Sequence, residues 1–361
     1  MSRKPDGKLR KGWTTGACAA AAARAAYQAL LTGQFPDPVS IELPRGEAPS
    51  FPLARCTIDG TGATAGVVKD AGDDPDVTHG ALVLARVANG LPGTGIVFHA
   101  GDGVGTVTRP GLALAVGEPA INPAPRQMIR DALHDVADRY SAACDVDVTI
   151  SIPGGAELAA RTMNERLGIK GGLSILGTTG VVIPYSCASW IHSIHRGIDV
   201  ARAAGLTHVA GSTGRTSEAA VQKLYALPEH ALIDMGDFVG AMLKYLRRYP
   251  VPRVTIAGGF AKLSKLANGH LDLHSSRTSV ETAALGELLA ALGADSALVA
   301  TARQSSSAAE ILQLSGARRL DLAGAVAKRG REVVLATLSG DVDVDVVIFD
   351  RDGAILGRAG L

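Results

Sequence analysis

The chain has 361 residues, 47% of them apolar and only 4% aromatic, and a formal net charge of +1. That length favours two domains over one, and the apolar share is ample for a packed core. Balanced charge excludes a global field for nucleic acid or a membrane surface, so any anion must be recognised locally.

In chain order, the first signal is Lys11-Gly12-Trp13-Thr14-Thr15-Gly16-Ala17-Cys18, running into alanines 19–23. It reads as a polar turn opening a helix over residues 14–32, capped by Thr14 or Thr15 and ended near Gly33. A second corner, Gly177-Thr178-Thr179-Gly180, has the same composition. Threonines beside glycine at a helix start leave backbone N–H groups for an anion or polar ligand, so the two corners are expected to serve one cleft. Strands are expected over 39–43 and 51–58, joined by a turn at Pro44-Arg45-Gly46, and over 63–69. The last runs into an acidic loop, Asp70-Ala71-Gly72-Asp73-Asp74-Pro75-Asp76-Val77-Thr78-His79. Further strands are expected over 81–87, 95–99 and 146–152, and a helix over 123–140 with proline near its start. Many strands with two helices predict an α+β domain over 1–152.

After Pro153-Gly154-Gly155 the rhythm changes. Helices are expected over 188–204, 217–225, 238–248, 262–266 and 279–292. Strands over 208–210 and 253–257 each precede a glycine turn, Gly211-Ser212-Thr213-Gly214 and Gly258-Gly259. Strand, glycine turn, helix predicts a Rossmann-like α/β domain over 153–340, with ligands beyond the carboxyl ends of the strands. Segments 345–349 and 354–358 predict a C-terminal β-hairpin over 341–361.

The acidic loop is the strongest candidate for chemistry, with Asp70 or Asp73 as a general base. A hard-cation site is a second option, although EF-hand spacing is missing, and a solvated surface loop is the plain alternative. Gly101-Asp102-Gly103-Val104-Gly105 resembles a piece of a dinucleotide fingerprint, but Thr106-Val107-Thr108 reads as a strand, so a hairpin turn is the stronger alternative. In the rigid segment Gly117-Glu118-Pro119-Ala120-Ile121-Asn122-Pro123, Glu118 or Asn122 is placed to face a ligand, unless Asn122 serves as a helix cap. His192 and His195 lie three apart on a helix without an obvious third ligand, and read as an exposed face. His274-Ser275-Ser276-Arg277 supplies an imidazole, hydroxyls and a cation suited to gripping a carboxylate. Cys18, Cys56, Cys144 and Cys187 form no CxxC pair, which argues against structural zinc or a disulfide framework. No apolar run of signal-peptide or membrane-spanning type is visible, and a cytoplasmic protein is expected. GxSxG, HExxH and GxxxxGK[ST] are absent, which removes the hydrolase, zincin and P-loop readings.

The succession Gly12 to Cys18, then Val68-Lys69-Asp70 through His79-Gly80, resembles the cobalt-precorrin-5B C(1)-methyltransferases of cobalamin biosynthesis. The likeness continues through Gly101 to Gly105, Pro110-Gly111-Leu112, Val116 to Pro123, Asn164, Arg166-Leu167-Gly168-Ile169 and Gly172 to Gly180. The C-terminal half departs from the family pattern at Gly211-Ser212-Thr213-Gly214-Arg215, Gly258-Gly259-Phe260-Ala261-Lys262 and Ser276, and reads as a divergent branch.

The resemblance implies S-adenosylmethionine as methyl donor, a cobalt-bearing tetrapyrrole as small-molecule acceptor, and no protein-bound metal. On that reading Asp70, Asp73 and Lys69 act on the macrocycle or move a proton. Thr14, Thr15, Gly16, His79, Glu118, Asn122, Lys262, His274 and Arg277 contact the substrate. Gly177, Thr178, Thr179, Gly180, Gly211, Gly214, Gly258 and Gly259 let backbone approach the donor. No nucleic-acid or membrane partner is expected, and a homo-oligomer is left open. The rivals are a non-catalytic tetrapyrrole carrier and a dinucleotide-dependent oxidoreductase.

Overall fold

The computed structural model of the chain describes residues 7–274 and 280–360. The chain has a mixed α/β fold and divides into two compact units, Met1–Ser186 and Cys187–Leu361.

The first unit is built on a five-stranded sheet in the order Arg55–Asp59, Gly62–Val68, Leu82–Asn89, Val146–Ser151 and Ile96–Ala100. All neighbours are antiparallel except the last pair. Alternation puts Ala63, Ala65, Val67, Val83, Ala85 and Val87 on the buried face. These short side chains let the alanine-rich helix Thr15–Thr32 lie close to the sheet. Thr14 caps that helix by accepting from Ala17 N–H, and Gly33 ends it in the left-handed conformation. The helix Pro123–Tyr140 packs beside it, and a Cβ on Gly16 would come 2.8 Å from Pro125 Cγ.

The unit extends past residue 152, where the sequence pattern places a boundary. Segment 153–186 runs back over the first unit: Ile169–Lys170 pairs with Thr106–Val107, and Val181–Val182 with Gly12–Trp13. Pro153-Gly154-Gly155 is therefore a tight turn inside one core, not a linker.

In the second unit four parallel strands run in the order Leu232–Asp234, His208–Ser212, Arg253–Gly259 and Asp343–Phe349. Ile355–Ala359 adds an antiparallel edge, so the expected C-terminal hairpin forms as part of this sheet. Val209 and Ala210 point to opposite faces and join separate apolar clusters. One face is covered by Cys187–Ala203, Val239–Arg248, Phe260–Ala267 and Leu322–Leu338, and the other by Arg215–Tyr225. The chain passes from His208–Ser212 outward to Leu232–Asp234 and then back to Arg253–Gly259 on the other side. Strand order therefore reverses between His208–Ser212 and Arg253–Gly259, which opens a crevice at their carboxyl ends.

Candidate functional sites

In the first unit the backbone joins both threonine–glycine corners to the acidic loop. Trp13 N–H donates to the Asp70 carbonyl at 2.7 Å, Thr14 N–H to Gly180 O at 2.9 Å, and Gly16 N–H to Leu176 O at 3.0 Å. A Cβ on Gly177 would fall 2.3 Å from Thr14 Oγ1, and one on Gly12 would fall 2.0 Å from the Ala71 carbonyl carbon. Thr14, Gly16, Gly177, Gly180 and Asp70 are thus neighbours, with Thr15 buried in the first turn of the helix.

The groups there are used differently from the sequence expectation. Most N–H groups of the helix start already have acceptors. Gly16 N–H is taken by Leu176 O, Ala17 N–H by Thr14 Oγ1, and Cys18 N–H by Thr14 O. Lys69 is only 3% exposed, and its ammonium is held by the Asp76 carboxylate and by Thr78 Oγ1. It pins the loop from a buried position.

Asp70 receives both guanidinium nitrogens of Arg10, at 2.5 and 2.9 Å, and the N–H of Gly72 at 2.9 Å. The hydrogen bond from Arg10 is the chief reason its carboxyl is held down at about 2. Such a carboxylate is a poor proton acceptor at neutral pH, which weighs against the general-base role and favours Asp70 as a negative charge held by Arg10. The Arg10 backbone is laced to Asp73 on both sides, N–H to Oδ2 at 2.6 Å and carbonyl from Asp73 N–H at 3.0 Å. Sequence reasoning missed Arg10, which lies before the recognisable motif. His79 accepts Ala71 N–H at Nδ1 (3.1 Å) and stays half exposed.

Glu118 pairs with Arg126 at 2.7 Å. Asn122 precedes the helix without making a side-chain cap bond; its Nδ2 donates to Ile175 O at 3.1 Å. Thr179 Oγ1 closes a small turn with Val181, and Thr178 is exposed. The segment Gly101 to Gly105 is neither a phosphate loop nor a hairpin turn. A Cβ on Gly103 would lie 1.9 Å from Ile152 O, so the glycine allows a backbone crossing.

The second unit holds the remaining predicted residues. A cleft of about 490 Å³ is lined by Thr213, Gly214, Arg215, Gly259, Lys262 and Arg351, among others. Gly214 and Gly259 each stand just before a helix, Arg215–Tyr225 and Phe260–Ala267. Gly211 and Gly258 lie inside the strands, where a Cβ would strike Met242 Sδ at 2.3 Å and Thr213 Oγ1 at 2.7 Å. Lys262 donates to the Thr213 carbonyl at 2.9 Å and pairs with Asp237 at 3.0 Å. Asp237 O in turn accepts Leu273 N–H, which brings the backbone beside His274 to this network. Arg277 and Ser275 lie outside the described residues. Among the described residues no group of three His, Cys, Asp or Glu side chains is placed to hold a metal ion. None of the described helices is long and apolar enough to cross a membrane.

An open parallel sheet with a glycine-flanked cleft at its carboxyl ends is the arrangement of α/β proteins that bind small ligands. The chain belongs to the CbiD family. Residues 2–184 match the family model described as CbiD, and residues 272–360 match CbiD, C-terminal domain. A protein of Paramagnetospirillum magneticum named cobalt-precorrin-5B C(1)-methyltransferase is 59% identical over 352 residues, covering 97% of this chain and 98% of that one. One of the same name from Methylorubrum extorquens is 59% identical over 351 residues, covering 97% of each. A crystal structure described as cobalamin biosynthesis protein (cbiD) from Archaeoglobus fulgidus is 29% identical, covers 75% of this chain and 84% of that one, and superposes with a TM-score of 0.41. The departures at Gly211 to Arg215 and Gly258 to Lys262 fall between the two matched segments.

Proposed function

We propose that the chain methylates ring carbon C-1 of cobalt-precorrin-5B, giving cobalt-precorrin-6A, with S-adenosylmethionine as the donor. The relatives' shared name supports the reaction. The observation that carries the donor's place is the glycine-flanked cleft where strand order reverses, in a second unit we read as Rossmann-like. Backbone can approach a nucleoside there because Gly214 and Gly259 carry no side chain. The first unit, read as α+β, would offer the acceptor a fixed surface, with Asp70 and Asp73 as charges held in place by Arg10.

In the reaction the ring carbon supplies the electron pair for the new C–C bond as the S–CH3 bond breaks. Sulfur leaves neutral in S-adenosylhomocysteine, and the positive charge passes to the macrocycle. The protein's task is alignment of carbon, methyl and sulfur, worth about 7–11 kcal/mol in the best intramolecular cases. We place the work in the cytoplasm, with cobalt travelling as part of the substrate.

The test is incubation of the purified chain with cobalt-precorrin-5B and methyl-labelled S-adenosylmethionine. Label entering the tetrapyrrole, with one S-adenosylhomocysteine formed per methyl, is expected. A tetrapyrrole that binds but gains no label would leave the carrier reading in its place.

A further inference from the structure

Three cations line the second unit's cleft, two of them at helix starts. Arg215 is the first residue of the Arg215–Tyr225 helix, and Lys262 is in the first turn of Phe260–Ala267, a turn with no acidic residue. Helix N-termini carry partial positive charge, so a cation there calls for a nearby anion. Lys262 has one in Asp237, and Glu218 stands in the first turn of the Arg215 helix, which leaves Arg351 and the Arg215 guanidinium as the cations facing the cleft. Arg351 lines the same cleft from the turn after Asp343–Phe349. Among the described residues Arg215 and Arg351 form no ion pair.

A second observation points the same way. Ser212 is 1% exposed, and its Oγ has no hydrogen-bond partner among the described residues. It immediately precedes the lining residue Thr213. Strand alternation puts it on the same sheet face as Ala210, which packs in one cluster with Phe349, itself a lining residue. A buried hydroxyl without a partner is costly, and this one lies directly behind the cleft's lining at Thr213.

We infer that this cleft contains a carboxylate-binding subsite, gripped by Arg215 and Arg351 beside a Lys262 already anchored to Asp237. The identity of the carboxylate rests on the proposed methyl transfer. It is either the α-carboxylate of the donor or an acetate or propionate arm of the macrocycle. The cations repel a sulfonium, so a donor seated here has its amino-acid end among them and its sulfur turned away.

Calorimetry on the full chain decides the question, with wild type, Arg215→Gln and Arg351→Gln. The probes are S-adenosylhomocysteine, 5′-methylthioadenosine (the same nucleoside thioether without the amino-acid end) and the polycarboxylate uroporphyrin III. Both positions are exposed, and Arg215→Gln takes a cation away from a helix start, so neither variant should melt below wild type. The expected result is about a tenfold loss of S-adenosylhomocysteine affinity in each variant with methylthioadenosine unchanged. Tenfold is about 1.4 kcal/mol, the scale of one charged hydrogen bond. A tenfold loss for uroporphyrin alone keeps the subsite and assigns it to the macrocycle. Affinities unchanged within twofold for every probe, or no binding of any probe by wild type, overturn the inference. Wild type that binds uroporphyrin but neither nucleoside overturns the donor's proposed place instead, and the uroporphyrin comparison still decides the subsite.

Discussion

Replacing Lys69 with methionine separates a structural lysine from a catalytic one. The side chain is 3% exposed, and its ammonium is held by Asp76 and by Thr78 Oγ1 at 2.5 Å. Asp76 also accepts Thr78 N–H at 2.8 Å and Thr78 Oγ1 at 2.6 Å. Burial raises the Asp76 carboxyl, but the charge and hydrogen bond of Lys69, with those of Thr78, outweigh it and hold the group below its ordinary value. Methionine nearly fills the volume and removes the charge, so the loss is electrostatic. Removing one partner of a fully buried pair costs about 3–5 kcal/mol. The Asp76 side chain keeps 24% of its surface in water and retains Thr78, so we expect about 2–3 kcal/mol here. For a unit of this size that corresponds to a fall in Tm of about 4–12 °C by calorimetry at pH 7. The sign with pH is fixed. A depressed carboxyl stabilises above its unfolded value and loses that contribution as pH falls through the folded one. Wild type and variant should therefore converge below about pH 4. Methyl transfer measured well below both transitions should persist, because the Lys69 ammonium is buried and bound to Asp76 and Thr78. A loss under about 0.5 kcal/mol would refute the pinning argument, since surface changes alone reach that size. Lost turnover at unchanged stability would return Lys69 to the catalytic set.

Gly12→Ala would place a methyl 2.0 Å from the Ala71 carbonyl carbon, which is backbone and cannot step aside. We expect a loss of about 2–3 kcal/mol in urea unfolding, as for other overpacked sites. Asp70→Asn should keep the fold, because an exposed pair is worth about 0–1 kcal/mol. Since Asp70 titrates at about 2, the wild-type kcat–pH profile should lack an acid limb from it near neutrality; a limb that vanishes in the variant would restore the general base. Acid unfolding followed by circular dichroism should begin below about pH 4 and continue towards about 2, as Asp70 and Asp76, both depressed, take up protons. Asp70→Asn should flatten that slope.

Where local chemistry decides structure, the sequence can be read directly. The helix Thr15–Thr32 announces its Thr14 cap and Gly33 stop, and Pro123–Tyr140 its proline start. The strand Leu232–Asp234 escapes notice because three residues carry no periodicity. Three helices, Ser296–Gln304, Ala308–Ala317 and Leu322–Leu338, are missed although Asp295, Ser307 and Asp321 cap them with side-chain bonds, a signal that was available. The boundary after residue 152 fails for a different reason. Nothing local reveals that Val181–Val182 will pair with Gly12–Trp13. The same distance effect governs the site. That the two threonine–glycine corners belong together follows from their shared composition, but the acidic loop's place beside them and the acceptors that take their N–H groups, remote carbonyls such as Asp70 O and Leu176 O, do not.

Motif residues in the first unit therefore divide by what their polar atoms already hold. Gly12 and Gly177 are fixed by the closeness of Ala71 and Thr14, and Thr14, Gly16, Lys69 and Asp76 by bonds within the fold. A ligand competing for those atoms would have to break the joint that holds the corners together. Groups with open surface include Thr178, Asp73, the partly exposed Asp70 and the half-exposed ring of His79, whose Nδ1 is occupied. With Nδ1 accepting from Ala71, the neutral ring carries its proton on Nε2 and is a donor, which suits the carboxylate arms of a tetrapyrrole better than proton removal from it.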